Sequence, residues 1–233
     1  MKLIGIVGRG YFNKDGQKII QITEDIRKAL VRYDDISVIS ILPPNDSYYV
    51  DVKMGEDKIS YDDKKKLDYI LDKCDGFIVP GGTYWYNFDE YIIKYAIDNN
   101  KPLLAICLGF QALCSMYAKD RNKFDMTSRL NNDNHYGNRY EYIHEVYILN
   151  NTKLKDILGY NKIKTDSVHH NYVSFEINTL IPNAIASDGI LEGVELPNRD
   201  FVIGVEWHPE YIMDDNSYLL FNSFINSIKK TDS

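Results

Sequence analysis

The chain has 233 residues, of which 44% are hydrophobic, and a formal net charge of −7. This length and apolar content suffice for one sizeable core, and no repeat, linker or second-domain boundary is evident, so a single domain over residues 1–233 is expected. The negative charge argues against nucleic acid as a partner, and no apolar run approaches the roughly 18 residues that a membrane span needs.

Short apolar runs alternate with amphipathic stretches over the first half of the chain. Buried strands, each bounded by turn residues or a helix, are predicted at residues 3–7, 36–42, 77–79 and 103–106. Apolar side chains at helical spacing predict helices at residues 19–30, 62–71, 88–97 and 109–117. Such alternation is typical of an α/β fold, in which helices cover both faces of a parallel sheet.

The second half of the chain begins with a polar segment rich in Asn and Asp, residues 120–141, which predicts a long loop. Shorter, partly alternating strands are then predicted at residues 142–149, 162–166, 172–177, 184–187, 192–196 and 201–206. An amphipathic helix is expected at residues 217–228. Substrate selectivity is expected to depend on loops such as residues 43–61 and 120–141.

Cys107 joins the predicted strand at residues 103–106 to the helix that follows. Such a strand-to-helix turn lifts a nucleophile out of a sheet and into a cleft. The N–H groups and the positive dipole end of the helix favour a thiolate at this position. Gly109 has no side chain to crowd a substrate or a neighbouring strand. Cys107 is therefore the candidate nucleophile, and the alternative is a small buried hydrophobic residue.

The other two cysteines, Cys74 and Cys114, carry no motif and are interpreted as structural. Three cysteines are too few, and odd in number, for a disulfide framework, which favours a reducing compartment. The apolar run at residues 1–8 is too short for a signal peptide. A soluble, cytoplasmic protein is therefore predicted.

His208 follows a second apolar strand, and Glu210 stands two residues further on. In an open α/β sheet, ligands bind at the carboxyl ends of the strands. The Glu210 carboxylate can accept a hydrogen bond from the imidazole and so fix its tautomer and orientation. A Cys-His-Glu arrangement suits acyl transfer, in which a thiolate attacks an amide carbonyl and the imidazolium protonates the departing amine.

Two consecutive glycines, Gly81 and Gly82, stand at the end of another predicted strand. Their backbone N–H groups, together with that of Leu108, are candidates for an oxyanion hole, worth about 3–4 kcal/mol of activation free energy per donor. The alternative for this Pro-Gly-Gly segment is a plain turn.

Two further polar segments are candidates for substrate contacts. His169 and His170 are adjacent in sequence and lack a carboxylate partner, so a metal site formed by them with His208 is not expected. The Gly-Arg-Gly segment around Arg9 lacks the rest of a dinucleotide fingerprint, so no nucleotide cofactor is expected. Arg9 is instead a candidate partner for a substrate carboxylate.

Taken together, these motifs resemble the class I glutamine amidotransferase superfamily. Residues 80–82, 107–111 and 207–210 match its oxyanion, nucleophile and His-Glu motifs in order and spacing. The resemblance implies a flavodoxin-like, doubly wound, mainly parallel sheet with a small added β-ribbon. It also implies hydrolysis of a γ-glutamyl amide through a thioester on Cys107 without a cofactor, with Gln111 as a substrate contact.

Within this superfamily, some members hydrolyse γ-glutamyl compounds directly and others are glutaminase subunits that pass ammonia to a synthase. The segment His169, His170 and Asn171 is similar to the His-His-Gln segment of the γ-glutamyl-γ-aminobutyrate hydrolases, and these three residues are taken as substrate contacts. Leu108 favours a glutaminase subunit instead, since those hydrolases usually carry arginine after the nucleophile and many glutaminase subunits carry leucine.

The resemblance therefore favours a hydrolase acting on a small γ-glutamyl substrate. The second hypothesis is a glutaminase subunit that needs a separate synthase partner, because residues 1–233 contain no synthase domain. The third is a binding or regulatory module without activity. The amine released and the oligomeric state, with a homodimer among the alternatives, are left open by the sequence.

Overall fold

The computed structural model describes residues 1–45, 58–120, 127–130 and 134–228. Parts of the two loops expected at residues 43–61 and 120–141 therefore lie outside the described residues. The described helices are α1 (Glu24–Leu30), α2 (Tyr61–Leu71), α3 (Asn87–Asp98), α4 (Leu108–Met116), α5 (Lys153–Leu158) and α6 (Asp215–Ser227).

The described strands form one large sheet and two small ones. They are β1 (Lys2–Val7), β2 (Arg9–Phe12), β3 (Lys18–Gln21), β4 (Ile36–Ile41), β5 (Gly76–Val79), β6 (Leu103–Ile106), β7 (Thr127–Arg129), β8 (His144–Ile148), β9 (Lys162–Thr165), β10 (Asn171–Val173), β11 (Ile181–Ala186), β12 (Leu191–Glu195) and β13 (Val202–Val205). The large sheet has nine strands in the order β4-β1-β5-β6-β13-β12-β11-β8-β9.

The first five strands of this order, β4 to β13, are mutually parallel, and the other four continue the sheet antiparallel. Two-stranded ribbons, β2–β3 and β7–β10, stand apart from the large sheet. The flavodoxin-like α/β fold expected from the sequence is thus confirmed. The antiparallel half is larger than the small ribbon that was expected.

Helices pack on both faces of the sheet, and alternate side chains of each strand contact opposite layers. In β6, Leu103 and Ala105 belong to the hydrophobic cluster that includes residues of α2, α3 and α4. Leu104 and Ile106 belong to the second cluster, which includes residues of α1, α5 and α6. All four side chains are fully buried, as expected for a central parallel strand with a period of two.

The helix predicted at residues 19–30 is wrong over its first five residues. Lys18–Gln21 is a strand, paired antiparallel with Arg9–Phe12 in a hairpin, and the helix starts only at Glu24. The isoleucines in this stretch fit a helical spacing, but Ile19 lies opposite Tyr11 across the hairpin. Cross-strand pairing of β-branched and aromatic side chains outweighs a weak helical preference there.

Helix α5 was not predicted, although the sequence carries both of its end signals. The Thr152 hydroxyl accepts a hydrogen bond from the Lys155 N–H at 3.1 Å and caps the first turn. Gly159 ends the helix with φ of 74°, a left-handed conformation that favours glycine. The remaining predicted elements are present, with bounds that differ by a few residues.

The carboxyl ends of three neighbouring parallel strands, β5, β6 and β13, carry the three motifs. Gly81 follows β5, Cys107 follows β6 and His208 follows β13. Because these strands are adjacent in the sheet, the fold brings three segments that are distant in sequence to one edge. No helix in the described part of the chain is long and apolar enough to cross a membrane.

Candidate active site

Cys107 occupies a sharp turn between β6 and α4. Its φ is 50°, in the left-handed region that a residue with a side chain rarely adopts. Its N–H donates to the Val205 carbonyl oxygen at 2.8 Å, and its own carbonyl accepts from the Gln111 N–H at 3.0 Å. The strained turn is thereby tied to β13 on one side and to α4 on the other. The side chain is 7% exposed.

Gly109 allows α4 to start directly against the neighbouring strand. A Cβ atom at this position would lie 2.0 Å from the Val79 carbonyl oxygen, which is a backbone atom that cannot move aside cheaply. The close approach confirms the reason given for a small residue two positions after Cys107. It fixes where the N-terminus of α4 meets the end of β5.

His208 lies beside Cys107 and is held by groups on its other sides. Its Nδ1 is 2.8 Å from Glu210 Oε1, and its ring stacks on Tyr211 with centroids 4.4 Å apart. Cys107 and His208 line the same cleft, and Cys107 Cβ and His208 Nε2 each lie 3.4 Å from the position that a Cβ atom on Gly81 would occupy. The structure therefore brings Cys107, His208 and Glu210, the three predicted catalytic residues, together at one side of the cleft.

The environment of His208 favours its protonated form. Burial by itself disfavours an imidazolium, but the Glu210 carboxylate and Cys107 outweigh burial, so the pKa of His208 is raised well above its ordinary value. Asp166, which the sequence analysis did not single out, accepts the His208 backbone N–H at 3.2 Å, and burial raises its own pKa to about 7. The imidazole thus keeps a proton available for a leaving group.

A cleft of about 280 Å³ opens in front of these side chains. Cys107, His208 and Glu210 line one part of it, and Gly81 and Gly82 line another. Within the part of the chain that the structure describes, the backbone N–H groups of the two glycines donate no hydrogen bond. They are therefore available to a ligand in the cleft.

Arg9 lines the cleft but is engaged with protein groups. Its Nε donates to the Gly81 carbonyl at 3.2 Å, its Nη2 donates to the Pro80 carbonyl at 2.5 Å, and its Nη1 pairs with the fully buried Asp89. Asp89 also accepts the Tyr86 N–H at 2.8 Å. The guanidinium thus fixes the glycine loop, whereas the sequence analysis expected it to meet a substrate carboxylate.

The Gly81 backbone packs directly against the imidazole. A Cβ atom on Gly81 would lie 2.6 Å from His208 Cε1, whereas one on Gly82 would meet only the ends of Leu108 and Arg9, at 3.1–3.2 Å. We expect Gly81→Ala to displace the buried ring and lower kcat/KM about 100-fold, since misplacement of a catalytic group by about 1 Å costs that much.

Steady-state kinetics and thermal unfolding of Gly81→Ala and Gly82→Ala check this expectation. The Gly82 variant should lose less activity, and the Tm of both should stay close to that of the wild type. An equal loss in the two variants would contradict the steric argument at His208.

Arg139 is the cation that the sequence analysis missed. It lines the cleft, and its guanidinium carbon lies 5.6 Å from the centroid of the Tyr211 ring, which itself stacks on His208. Its side chain is exposed. No motif marks this arginine, because it stands within a polar segment whose path is set by contacts far away in sequence.

The remaining predicted substrate contacts do not line the cleft. Gln111 is buried and its Nε2 donates to Glu206 Oε1 at 2.6 Å. His169 is also buried, with Nδ1 3.4 Å from the same oxygen, and burial raises the pKa of Glu206 to about 8. His170 is exposed and stacks on Tyr136, and Asn171 is exposed on β10. These residues lie beneath or beside the cleft described here.

Comparison with known proteins gives a consistent result. Residues 86–210 match the Peptidase C26 family. The chain is 26% identical to a glutamine amidotransferase-like protein of Rickettsia prowazekii, over 70% of this chain and 80% of that protein. It is also 26% identical to the CTP synthase of Lactobacillus helveticus, over 77% of this chain but only 39% of that enzyme.

Among solved structures, the glutaminase domain of Trypanosoma brucei CTPS with bound acivicin superposes with a TM-score of 0.66. The superposition covers 99% of this chain and 96% of that domain, at 18% sequence identity. At this identity the likeness establishes the fold alone.

Proposed function

The chain belongs to the Peptidase C26 family, whose members have the glutamine amidotransferase-like fold, and from this premise we propose that it hydrolyses γ-glutamyl amides through a thioester on Cys107. The observation that carries the proposal is that Cys107 and His208 meet at the edge of an open cleft, with Glu210 2.8 Å from the imidazole. A nucleophile, a proton carrier and a carboxylate that orients it are the groups that acyl transfer requires.

In the proposed mechanism, the Cys107 sulfur attacks the γ-carbonyl carbon of the substrate. The carbonyl oxygen becomes an oxyanion, which the N–H groups of Gly81, Gly82 and Leu108 stabilise. His208 then protonates the nitrogen of the departing amine, and the C–N bond breaks to leave a thioester.

In the second half of the reaction, His208 accepts a proton from water, whose oxygen attacks the thioester. The C–S bond breaks, so that glutamate leaves and Cys107 is regenerated. Glu210 holds the imidazole in one orientation through both proton transfers.

Arg139 is the proposed partner for a substrate carboxylate, because its exposed guanidinium stands in the cleft. γ-Glutamyl compounds carry an α-carboxylate, and γ-glutamyl-γ-aminobutyrate carries a second carboxylate on its amine half. Charge-assisted hydrogen bonds from guanidinium to carboxylate are strong and directional.

Arg139→Met is expected to raise KM about 10–100-fold with a smaller change in kcat, because one hydrogen bond to a charged group is worth about 1.5–3 kcal/mol. The measurement is steady-state kinetics with a γ-glutamyl amine. Arg32→Met is the matched control, since Arg32 also lies over a tyrosine ring, Tyr218, but does not line the cleft. An unchanged KM in Arg139→Met would exclude this role.

The proposal is tested by incubating purified protein with γ-glutamyl-γ-aminobutyrate, other γ-glutamyl amines and glutamine. Release of glutamate that depends on Cys107 supports it, and the preferred substrate identifies the leaving amine. If neither wild type nor Cys107→Ala acts on any of these compounds, and a γ-glutamyl chloroketone does not label Cys107, a binding module without activity becomes the better description.

A second candidate function, a glutaminase that delivers ammonia to a synthase, is favoured by the relation to CTP synthase. This chain spans only about two fifths of that enzyme's length, so a synthase activity would have to come from elsewhere. Leu108 after the nucleophile also fits many glutaminase subunits. Co-purification of a stable heteromer, with glutaminase activity that appears only in the heteromer, would favour this function over direct hydrolysis.

A further inference from the structure

A second cluster of titratable side chains lies outside the cleft, around the fully buried carboxylate of Glu192. His135, His144 and Glu192 each place one donor atom within 4.8 Å of the others. His135 Nδ1 is 3.1 Å from Glu192 Oε1, and His144 Nε2 is 3.9 Å from the same oxygen. His169 adds a third imidazole, with Nε2 3.5 Å from that oxygen.

Within the described part of the chain, several polar atoms of this cluster make no hydrogen bond. Neither oxygen of Glu192 and neither ring nitrogen of His144 has a partner at acceptable hydrogen-bond geometry. The Glu192 side chain is 0% exposed and that of His144 is 10% exposed, so bulk solvent has little access to these atoms. A buried carboxylate is costly unless it is paired or coordinates a metal, and the groups that approach Glu192 are imidazoles, at 3.1 and 3.5 Å.

The outer hydrogen bonds fix which nitrogen of each ring faces the cluster. His135 Nε2 lies 3.0 Å from Asp188 Oδ2, and His169 Nδ1 lies 2.8 Å from the Asn171 carbonyl oxygen. Both neighbours are acceptors, so these nitrogens carry the protons and donate. The inner nitrogens, His135 Nδ1 and His169 Nε2, are 3.2 Å apart, so either a proton on one of them or a cation beside them separates their lone pairs.

We propose that His135, His144 and Glu192 bind a Zn²⁺ ion. Two or three imidazoles with one carboxylate form a common zinc ligand set, with metal–ligand distances of about 2.0–2.2 Å. Tetrahedral coordination at that radius separates the ligand atoms by about 3.3 Å. The two separations from Glu192 Oε1 given above, 3.1 Å to His135 Nδ1 and 3.9 Å to His144 Nε2, are close to this value.

Asp188 lies outside the proposed ligand set and contacts the far nitrogen of His135. A histidine that binds a metal usually donates its other N–H to a carboxylate or carbonyl, which orients the ring and raises its basicity. His135 has such a carboxylate. The alternative occupant of the cluster is a proton shared between the rings, which would not need a tetrahedral set of ligands.

The ion would join segments that are separate in the chain. His144 is on β8, Glu192 is on β12, and His135 precedes Arg139 by four residues. The His135 segment also receives the His169 N–H on its carbonyl, at 3.0 Å. If Arg139 binds substrate as proposed, zinc binding would stabilise the segment that carries it; that consequence rests on the proposed function, whereas the metal site does not.

The test uses the full chain carrying Cys107→Ala, so that the thiol cannot supply a ligand and catalytic activity is not the readout. After removal of metal with a chelator, the protein is titrated with Zn²⁺, followed by elemental analysis and thermal unfolding, and separately with Co²⁺. We expect one ion per chain, a visible absorption band typical of tetrahedral Co²⁺, and a Tm raised by about 5–10 °C at 100-fold excess of metal over Kd.

Variants locate the bound ion. Glu192→Gln and His144→Gln should abolish stoichiometric binding, and Asp188→Asn should weaken it about 10–100-fold. His170→Gln is the matched control, because this histidine is exposed beside the cluster and its substitution should leave binding unchanged. Asp188 lies in a turn with its side chain 37% exposed, so that variant remains informative if the buried ones do not fold.

Two results would overturn the proposal. One is a wild-type cluster that takes up neither Zn²⁺ nor Co²⁺ stoichiometrically, which would leave a shared proton as the occupant. The other is binding of equal affinity in wild type, Glu192→Gln and Asp188→Asn, which would place the ion elsewhere. Either outcome leaves the proposed hydrolase function untouched, because the readouts are metal content, absorption and Tm.

Discussion

Replacing Cys107 by alanine is expected to lower kcat for γ-glutamyl amide hydrolysis by at least about 10⁴-fold. The thiol is the proposed nucleophile, and no other cysteine lines the cleft in the part of the chain that the structure describes. Removal of the nucleophile from a comparable catalytic unit costs about 10⁶-fold, with a residual rate from binding and the oxyanion site. The measurement is glutamate release under saturating substrate.

Cys74→Ala is the matched control for this experiment. Cys74 is also buried, but it packs in the hydrophobic cluster between the sheet and α2 and carries no partner from the catalytic set. Its loss should lower Tm modestly and leave kcat close to that of the wild type. If Cys107→Ala kept a tenth or more of the wild-type rate, a covalent thioester mechanism would be untenable.

Glu210→Gln is expected to lower kcat about 10³–10⁴-fold while the fold is retained. The buried carboxylate is 2.8 Å from His208 Nδ1, and it holds the imidazole in one tautomer and orientation. Burial lowers the pKa of His208, and the Glu210 carboxylate is the group that raises it most. Without the carboxylate, that pKa should fall, so proton delivery to the leaving amine should be lost at lower pH than in wild type.

The pH dependence of kcat, measured on wild type and Glu210→Gln, checks the sign of this change. A group whose pKa is raised in the folded protein stays protonated to higher pH. On the basic side of the profile, kcat of the wild type should therefore fall at a higher pH than kcat of the variant. Glu176→Gln, a substitution of an exposed carboxylate paired with Lys119, is the control and should change neither kcat nor the profile. Identical profiles in wild type and Glu210→Gln would exclude the role assigned to Glu210.

The large elements of the fold could be predicted from sequence because their signals are local. Apolar runs closed by turn residues marked β1, β4, β5 and β6, and the helical periodicity marked α2, α3 and α4. The hairpin at β2–β3 was missed because its stability comes from cross-strand partners, which helical spacing cannot report. Local signals at Thr152 and Gly159 were present, yet a helix of only six residues gives little periodicity to detect.

Some residues of the candidate site could likewise be predicted from local sequence, and others could not. The sequence by itself indicated Cys107 and His208, which follow apolar strands, and Glu210, two residues after His208, because strand ends of a parallel sheet meet at one edge. Their catalytic roles stay a prediction. Contacts between distant segments decided the rest. The structure engages Arg9 with a carboxylate 80 positions away and leaves Arg139 as the exposed guanidinium in the cleft.

The histidine cluster is the clearest case of what only the tertiary structure decided. His135 meets His169 across 34 positions and Asp188 across 53 positions. No spacing rule links residues that lie so far apart, because a turn of helix or a step along a strand relates only near neighbours. Local patterns indicate the strand ends from which the catalytic residues are proposed, whereas the histidine cluster exists only because the antiparallel half of the sheet places His144 and Glu192 beside the loops that carry His135 and His169.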